Sequence, residues 1–385
     1  MKVSLEVEDA LWRAAGRRLP ASVLRPGRLA EAVLERTRRY TSERARLAEP
    51  LAGEAAAADL AARALFFAAT DSAKIALPLA ELAARDLVPA SAPLRVLDLG
   101  AGAGAMTLGL AAYLARSGRP RDLAVVAADR DAAALGLLVD AAGELAGALG
   151  SRIAVEARPV DVLGLSPPPA AFDLVLAGGL MNELAEPARA PLLDRGLAAL
   201  ASGGALIAIE PALRETSRAL HRLRDQVVAR GAAHVFAPCT RAGLPCPALA
   251  DERDWCHEDR PLALAPRTSS IAAATGLRDT GIKFSYLVLR RDPAPIAAPP
   301  AGRVALRVVS EPRKAKGRRE LTACGDAGWV ALRLLKRHRS DANRPFERAR
   351  RGDLLLVGEP AADRDLSEAD AVDRIAAARE GDGRS

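Results

Sequence analysis

Cysteine is scarce in this sequence, with four residues among 385. So low a content does not indicate a disulfide scaffold, and we expect the thiols to be reduced. Long uncharged apolar runs are also missing, since none approaches the roughly 20 residues that a membrane-spanning helix needs. The opening stretch, MKVSLEVEDALWRAAGRRL, carries acidic residues where a secretory signal peptide has its apolar core. These absences predict a soluble cytoplasmic protein.

Basic residues outnumber acidic ones, and the formal net charge is +7. The surplus is concentrated: residues 301–351 contain fifteen Lys or Arg against five Asp or Glu, and residues 13–46 contain ten Arg against three Glu. Clustered arginine binds polyanions through bidentate phosphate contacts and counterion release. A solvated charged face is the other interpretation of such clusters. The dense run that we expect to meet phosphates consists of Arg313, Lys314, Lys316, Arg318 and Arg319.

The chain divides into segments of different character. Residues 1–90 carry apolar residues at helical spacing, which predicts an N-terminal helical region. Residues 91–292 alternate short apolar strands with helices, and this pattern predicts an α/β domain with a parallel sheet covered on both faces. A cysteine-rich insertion occupies residues 237–270 of that domain. After the proline-rich linker RRDPAPIAAPPAG, residues 301–358 predict a small basic β unit, and residues 359–385 predict a polar tail, weakly helical or disordered.

A glycine-rich turn follows the first predicted strand, in VLDLGAGAGAMTLGL. Asp98, Gly100, Gly102 and Gly104 stand two positions apart, directly before a helix. Glycine lets the backbone approach a ligand without a Cβ in the way, and a helix N-terminus offers unpaired amides to a polar group. A dinucleotide site would have G-x-G-x-x-G spacing, whereas this loop resembles motif I of class I S-adenosylmethionine methyltransferases. The alternative is a turn kept for strand–helix packing that binds no ligand.

Two further acidic residues extend this resemblance. Asp129 ends the second predicted strand, where the methyltransferases bind the ribose hydroxyls, and Asp161 follows the third, on the side of the adenine. The segment after the fourth strand, AGGLMNEL, lacks the Asn/Asp-Pro-Pro-aromatic segment of many amino-methylating enzymes and the Pro-Cys of RNA cytosine-C5 enzymes. Asn182 and Glu183 occupy this region. The sequence therefore predicts a cofactor site, and its catalytic residues stay unknown.

Three of the four cysteines fall within one proline-rich segment, FAPCTRAGLPCPALADERDWCH. Cys239, Cys246 and Cys256 are spaced C-x6-C-x9-C, and Cys324 follows far downstream. Zinc ribbons and fingers use pairs two to four residues apart, so this spacing does not match them, although zinc stays open. Four thiolates also ligate iron–sulfur clusters. Four unrelated buried cysteines are the third alternative, which the position of the segment outside every apolar pattern disfavours.

Taken together, the motifs APC, CP, DWCH, KFSYLVL and EPRK resemble the methyltransferase-like proteins of the mitochondrial small ribosomal subunit and their bacterial relatives. The resemblance covers roughly residues 60–358. It implies a class I methyltransferase fold and a role in assembling the small ribosomal subunit by binding its RNA. It also implies a [4Fe-4S] cluster held by Cys239, Cys246, Cys256 and Cys324. The chain departs from the family pattern at Thr240-Arg241, where relatives tend to have a histidine.

Three functions remain in competition on the sequence alone. The first is a monomeric assembly factor that binds small-subunit rRNA, with S-adenosylmethionine and the cluster serving structure and recognition. The second is an active S-adenosylmethionine-dependent rRNA methyltransferase. The third is a small-molecule or protein methyltransferase with a structural zinc. Metal content separates the third from the other two, because iron–sulfur protein is brown and zinc protein is colourless.

Overall fold

The computed structural model describes residues 1–119, 121–241, 243–278, 281–358 and 363–377. The helices are α1 (Leu5–Arg18), α2 (Pro26–Tyr40), α3 (Gly53–Ala62), α4 (Ala69–Asp71), α5 (Ala76–Ala83), α6 (Ala105–Arg116), α7 (Ala132–Leu149), α8 (Glu186–Ala199), α9 (Arg214–Ala229) and α10 (Pro266–Thr275). A π-helical segment, Arg63–Ala68, joins α3 to α4.

The strands form two sheets. Those of the larger sheet are β1 (Leu94–Leu99), β2 (Leu123–Asp129), β3 (Ile153–Pro159), β4 (Phe172–Gly178), β5 (Leu200–Pro211), β6 (His234–Ala237), β7 (Glu258–Arg260) and β8 (Ile282–Arg290). Those of the smaller sheet are β9 (Arg303–Val308), β10 (Arg313–Ala315), β11 (Arg318–Gly325), β12 (Gly328–Leu335), β13 (Leu354–Gly358), β14 (Arg364–Leu366) and β15 (Asp373–Ile375).

The larger sheet has the strand order β3-β2-β1-β4-β5-β8-β6, and β7 pairs with β8. Strands β1 to β5 run parallel, whereas β8 is antiparallel to β5, β6 and β7. The apolar runs of β1 and β4 are buried along most of their length, as expected for strands covered by helices on both faces. This order, with one antiparallel strand next to β5, is that of class I S-adenosylmethionine methyltransferases. The predicted α/β fold class is confirmed.

Helix α7 is, among the described residues, the one helix whose length and composition would suffice to cross a membrane. It carries Asp140 and Glu144, which pair with Arg18 and Arg17 of α1 at 2.6 Å each. Its apolar face contributes Leu135, among others, to the main hydrophobic core. A helix that packs in a protein core can be as long and as apolar as a membrane-spanning helix. Packing against the core therefore accounts for the apolar composition of α7.

The smaller sheet has the order β14-β12-β11-β9-β13-β15, with β10 paired to β11. It surrounds a core of its own, which includes Leu306, Leu332 and Phe346. The linker before it is not free, because Ile296 and Ala297 are buried in the core of the larger unit. The two sheets therefore belong to two units, each with a core of its own, that are joined by a packed linker and by Leu354 of β13, which packs into the core of the larger unit.

Two parts of this unit differ from the sequence-based expectation. The hairpin of β10 and β11 was not predicted, because its arginines and lysines hide the alternation of β11, in which Leu321 and Ala323 point inward. The tail was expected to be weakly helical or disordered, but its described residues 363–377 contain β14 and β15. These strands add to sheet edges by backbone hydrogen bonds, which polar sequences form as readily as apolar ones.

A buried ion pair joins the two units. Arg307 of β9 donates from Nη2 to Glu81 Oε1 of α5 at 2.8 Å, and Tyr286 of β8 donates from its hydroxyl to Glu81 Oε2 at 2.6 Å. Arg307 also donates to the carbonyl oxygens of Pro238 at 2.9 Å and Gly352 at 2.5 Å. Because Arg307 and Glu81 are both buried, removing either would leave the other charge unpaired. This contact fixes the smaller unit against the sheet beside the cysteine-rich segment.

Candidate cofactor site and cysteine cluster

The three glycines of the loop after β1 have positive φ angles, but they have different reasons to be glycine. A Cβ at Gly100 would lie 2.9 Å from Leu180 Cδ1, and one at Gly104 would lie 2.3 Å from Leu138 Cδ1. A Cβ at Gly102 would meet the protein only at Asp129 Oδ2, 4.0 Å away. Packing therefore requires glycine at the outer two positions, while Gly102 opens onto free space.

Asp98 lies beneath this loop. It is 1% exposed, and its Oδ2 accepts a hydrogen bond from Thr107 Oγ1 of α6 at 2.7 Å. Its Oδ1 is buried without a partner in the described part of the chain. Burial raises the pKa of this carboxyl to about 7. Asp98 does not belong to the cavity wall, so the structure gives it a supporting position.

Asp129 lies at the end of β2, directly across from Gly102. Its Oδ2 accepts from the Gly102 amide at 2.9 Å, and its Oδ1 accepts from the Asp131 amide at 2.9 Å. Asp161 follows β3, and its Oδ1 accepts from the Leu163 amide at 2.8 Å. Both carboxylates line the same cavity. The structure therefore brings Gly102, Asp129 and Asp161 together, as the parallel strand order requires.

The cavity has a volume of about 1220 Å³ and lies beyond the carboxyl ends of β1, β2 and β4. Chain order in the sheet reverses between β1 and β4, and open α/β sheets bind ligands in the crevice at such a point. Small-molecule pockets usually have volumes of about 300–1,000 Å³. This cavity is large enough for a nucleoside cofactor and a second ligand.

The N-terminal helices close one side of the cavity through ion pairs. Arg63 binds Asp59 from Nε at 2.9 Å and also pairs with Asp131, two residues after Asp129. Arg36 binds the other oxygen of Asp59 at 3.4 Å. The N-terminal region therefore forms part of the wall of this cavity, which its charge pattern alone did not show.

A second group of charges lies further along the same wall. Lys74 is 4% exposed, and its Nζ lies 3.0 Å from Asp71 Oδ1, which Arg278 contacts at 2.9 Å. Burial lowers the pKa of Lys74, while the adjacent Asp71 opposes the shift. Neither Lys74 nor Asp71 could be identified as a cavity residue from the sequence, because each lies within a helical pattern and belongs to no motif.

Glu210 organises the loop after β4. This glutamate is 1% exposed at the end of β5, and it accepts from the amides of Met181 at 2.8 Å and Asn182 at 3.2 Å. Burial raises the pKa of Glu210 to about 7. Glu210 was not among the residues predicted from the sequence, although its position at the end of the apolar strand ALIAIEP was an available signal. Glu183, the neighbouring cavity residue, has a pKa raised by burial.

Two arginines of α9, the half-buried Arg218 and the buried Arg224, hold the cysteine-rich segment by hydrogen bonds to its backbone. Arg218 donates from Nη1 to the carbonyl oxygens of Ala248 at 2.8 Å, Asp251 at 2.6 Å and Asp254 at 2.7 Å. Arg224, which is 2% exposed, donates to the carbonyls of residues 241 and 244. These contacts order a polar segment that could not order itself by burying apolar side chains.

The same segment contacts the strand that carries Cys324. Thr240 donates from Oγ1 to the carbonyl oxygen of Cys324 at 3.0 Å, and Arg241 donates from Nη1 to that of Gly325 at 2.6 Å. At the other end, Cys256 is held by His221, whose Nε2 lies 3.0 Å from its carbonyl oxygen. The segment therefore bridges the larger sheet and the smaller one.

The four thiols lie within electrostatic range of one another. Burial raises the pKa of Cys246 and Cys324 to about 12, and the negative charge of Cys239 adds to both shifts. The pKa of Cys256 is raised by burial and then by the other three thiols. All four are free thiols and half-buried. Nevertheless, no three His, Cys, Asp or Glu side chains among the described residues stand in the arrangement of a metal site.

Comparison with protein families decides the assignment. Residues 57–355 match the family described as mitochondrial small ribosomal subunit Rsm22. The chain belongs to the Rsm22 family. The matched range contains the glycine loop, all four cysteines and the β10–β11 hairpin, so the resemblance found in the sequence is confirmed.

Solved structures with a similar fold include several methyltransferases. Magnesium protoporphyrin IX methyltransferase from Synechocystis PCC 6803, with bound S-adenosylmethionine, is 10% identical with a TM-score of 0.35 over 68% of this chain and 97% of that chain. Phosphoethanolamine N-methyltransferase 1 from Haemonchus contortus is 19% identical with a TM-score of 0.26, over 37% of this chain and 28% of that chain. Similarity this weak adds nothing to what the strand order shows. No curated protein sequence matches the chain.

The family corrects the predicted location. A cytoplasmic protein was expected because the sequence shows no apolar signal peptide, but the Rsm22 family is described as mitochondrial. The expectation was wrong because an apolar core marks secretory signals only. Mitochondrial transit peptides are amphipathic and arginine-rich instead, so the missing apolar core does not distinguish the cytoplasm from the mitochondrion.

The basic hairpin of this Rsm22-family chain exposes most of its predicted phosphate contacts. Arg313, Lys314, Lys316 and Arg318 are exposed and form no ion pair within the described part of the chain. Arg319 differs, because it is partly buried and donates to the carbonyl oxygen of Ala349 at 2.7 Å. The antiparallel register places Arg313 and Arg318 on one face of the hairpin and Lys314 on the other, with Lys316 at the turn.

Proposed function

We propose that this Rsm22-family protein acts as a monomer on the small ribosomal subunit, binding its rRNA, and that it holds S-adenosylmethionine in the cavity beside β1. The observation that carries the proposal is the family match over residues 57–355, since that range includes both the cavity and the basic hairpin. The family description names the small ribosomal subunit, and the fold supplies a nucleoside-sized site at its switch point.

The cofactor assignment follows the cavity wall. Gly102 lets the backbone approach the methionine side of the ligand, while Asp129 accepts hydrogen bonds from the ribose hydroxyls. Asp161 lies on the adenine side. Gly100 and Gly104 shape the loop, and Asp98 supports it from below. The support for this assignment is that the open face of Gly102 and the carboxylate of Asp129 border the same space.

The cysteines form the second part of the proposal. Cys239, Cys246, Cys256 and Cys324 would hold a [4Fe-4S] cluster, with zinc as the alternative. The support for this part is that the four thiols lie close enough to raise one another's pKa, and ligation by a cation would remove their protons. The nearby guanidinium of Arg224 helps to balance a site with four thiolates, and its charge lowers the pKa of Cys239 against the effect of burial. A bound cluster would have a structural role, because it would join the larger unit to the smaller one.

The hairpin of β10 and β11 is the proposed RNA-binding element. Arg313, Lys314, Lys316 and Arg318 form a phosphate-binding surface, to which Lys336 is adjacent because its amide donates to the carbonyl oxygen of Gly317 at 2.8 Å. Phosphate contacts of this kind position RNA without reading its sequence. Specific recognition then has to come from other parts of the molecule.

Anaerobic purification tests the proposal in one preparation. We expect a brown protein with about four iron atoms per chain, co-purifying small-subunit rRNA, and calorimetric binding of S-adenosylmethionine. Stoichiometric zinc in a colourless protein would support a structural zinc instead of the cluster. A preparation that binds neither S-adenosylmethionine nor small-subunit rRNA would overturn the proposal.

A second candidate function is an active rRNA methyltransferase. The observation that favours it is the size of the cavity, which leaves room beside a nucleoside cofactor, together with the polar side chains of Asn182 and Glu183 that border this space. Transfer of a labelled methyl group to small-subunit rRNA by the purified protein would establish this activity.

A further inference from the structure

One tryptophan of the cysteine-rich segment is open to solvent. Among the tryptophan, tyrosine and phenylalanine residues that the structure describes, Trp255 alone is exposed, at 36%. Trp12 and Trp329 are both partly buried, and the guanidinium of Arg267 lies over the ring of Trp12, 5.3 Å from its centroid. Aromatic residues make up only 3% of the chain, so an exposed tryptophan needs a reason other than core packing.

The ring of Trp255 stacks on the imidazole of His257. The two ring centroids are 5.7 Å apart, and the ring planes are inclined by 19°. The backbone beneath the rings is fixed, since Ser285 Oγ lies 2.9 Å from the carbonyl oxygen of Cys256 and Arg351 Nη1 donates to that of His257 at 3.0 Å. A nearly parallel pair of rings is therefore held on an anchored backbone, and the exposed part of the tryptophan is available to a further flat ring.

Arg351 connects this stack to the basic hairpin. Besides donating to the carbonyl oxygen of His257, it donates from Nε to Glu311 Oε1 at 3.2 Å. Glu311 stands two residues before Arg313, the first cation of the hairpin, and two residues of extended chain span at most about 7 Å. The stacked rings and the proposed phosphate-binding surface therefore lie side by side.

An exposed aromatic ring beside clustered cations is the combination that binds single-stranded nucleic acid. Basic side chains hold the phosphates, while aromatic side chains stack on the bases, whatever the sequence, because every base has a flat face. Bases within a duplex are stacked on one another, so aromatic side chains reach unpaired ones. An apolar peptide could also cover a tryptophan, but the adjoining positive charge favours a polyanion.

We propose that Trp255 and His257 form a stacking platform for an unpaired base of the bound RNA, next to the phosphates held by the basic hairpin. The inference rests on the proposed RNA-binding function, because the platform adds a base contact to the same surface. Phosphate contacts alone do not distinguish one RNA sequence from another. The platform adds a preference for RNA segments whose bases are unpaired.

The probes are a uridylate octamer, an abasic octamer that has the same phosphates without bases, and a blunt-ended RNA duplex. Removing a ring that stacks on a base weakens single-stranded binding by about 5- to 150-fold. We expect the parent to bind the uridylate octamer more tightly than the abasic one by a factor in this range. Trp255→Leu should lose at least about fivefold of its affinity for the uridylate octamer, and should bind the abasic octamer and the duplex as the parent does.

Four further variants make the outcome specific. Trp255→Phe keeps a flat ring and should retain most of the affinity for the uridylate octamer. Trp255→Met is a second variant without a ring and replaces the leucine variant if that one folds poorly, which lost binding of the abasic octamer would reveal. Leu244→Ala removes another exposed apolar side chain of the same segment, and Arg253→Gln removes a charge that Asp251 already pairs at 2.9 Å. Both should leave all three affinities unchanged.

Two results would overturn the inference: equal binding of the two octamers by the parent, or parental affinity for the uridylate octamer in both ring-less variants. Either would leave the exposed ring to an apolar protein partner. A parent that binds none of the three probes would remove the proposed RNA binding, and the inference with it. Binding of the duplex and the abasic octamer without any preference for bases would remove the inference alone.

Discussion

Alanine substitutions at Gly102 and Gly104 should separate ligand binding from stability. A non-glycine residue in the left-handed region costs roughly 1–2 kcal/mol, and both positions lie at positive φ, 50° and 91°. Gly104→Ala adds a collision, because its Cβ would stand 2.3 Å from Leu138 Cδ1, which is fully buried. Overpacking of this kind costs roughly 1–3 kcal/mol more. We therefore expect a loss of about 1–2 kcal/mol in the free energy of unfolding for Gly102→Ala and roughly 2–5 kcal/mol for Gly104→Ala.

Ligand affinity should show the opposite order. The new methyl group at Gly102 projects into the cavity beside Asp129, whereas the one at Gly104 points into the protein. We expect Gly102→Ala to weaken S-adenosylhomocysteine binding by about tenfold or more, which corresponds to about 1.4 kcal/mol. The folded fraction of Gly104→Ala should bind nearly as the parent does. Urea unfolding and calorimetry on the same samples give both numbers, and parental affinity in Gly102→Ala would refute the assignment of this loop as the ligand contact.

Three other predictions follow from the structure. Cys324→Ser should lose iron and become sensitive to protease within residues 291–302, whereas Thr322→Ser on the same strand should not; full iron content in the first variant would remove Cys324 from the ligand set. Asp98 has a folded pKa of about 7 against about 3.9 unfolded, so its contribution to stability is complete below pH 4 and is lost as pH rises to 7. The stability difference between the parent and Asp98→Asn should therefore fall across that window, by on the order of 4 kcal/mol, and a pH-independent difference would contradict the burial argument. The slope of log affinity for small-subunit rRNA against log salt should shrink by roughly 0.7–0.9 per lost phosphate contact, while Arg253→Gln, on an exposed loop, leaves it unchanged. The residues to neutralise are Arg313, Lys314, Lys316 and Arg318.

The sequence was sufficient for the parts of this fold that depend on apolar periodicity. The runs in β1, β2, β4 and β5 are long and apolar because helices bury them on both faces, so their alternation with helices predicted the parallel sheet. The glycine loop and Asp129 were found for the same reason, since parallel strands bring their carboxyl ends to one edge. Those predictions needed only the order of the elements along the chain.

Contacts between distant polar residues were not predictable in this way. Glu210 at the end of β5 contacts Asn182 in the loop after β4, and Arg44 contacts Asn182 from the N-terminal region. Asn182 and Arg44 each look like a surface residue in their own segment. The anchoring of the cysteine-rich segment by Arg218 was missed as well, because an arginine in an amphipathic helix is ordinarily solvated. Such contacts depend on side-chain geometry between elements, and sequence spacing carries no information about it.

The pairing of Glu81 with Arg307 has a consequence for synthesis of the chain. A ribosome makes Glu81 226 residues before Arg307, and at roughly 5–20 residues per second the interval lasts from about ten to about forty-five seconds. During that time the strands of the central sheet are made in turn, and β8 is completed only shortly before Arg307. In the nascent protein Glu81 therefore lacks its counter-charge, and Tyr286, which is made before Arg307, can supply its first hydrogen bond. The part of the chain that is made late thus supplies the counter-charge of a carboxylate near its beginning, and this pair can form only when the smaller unit docks against the larger one.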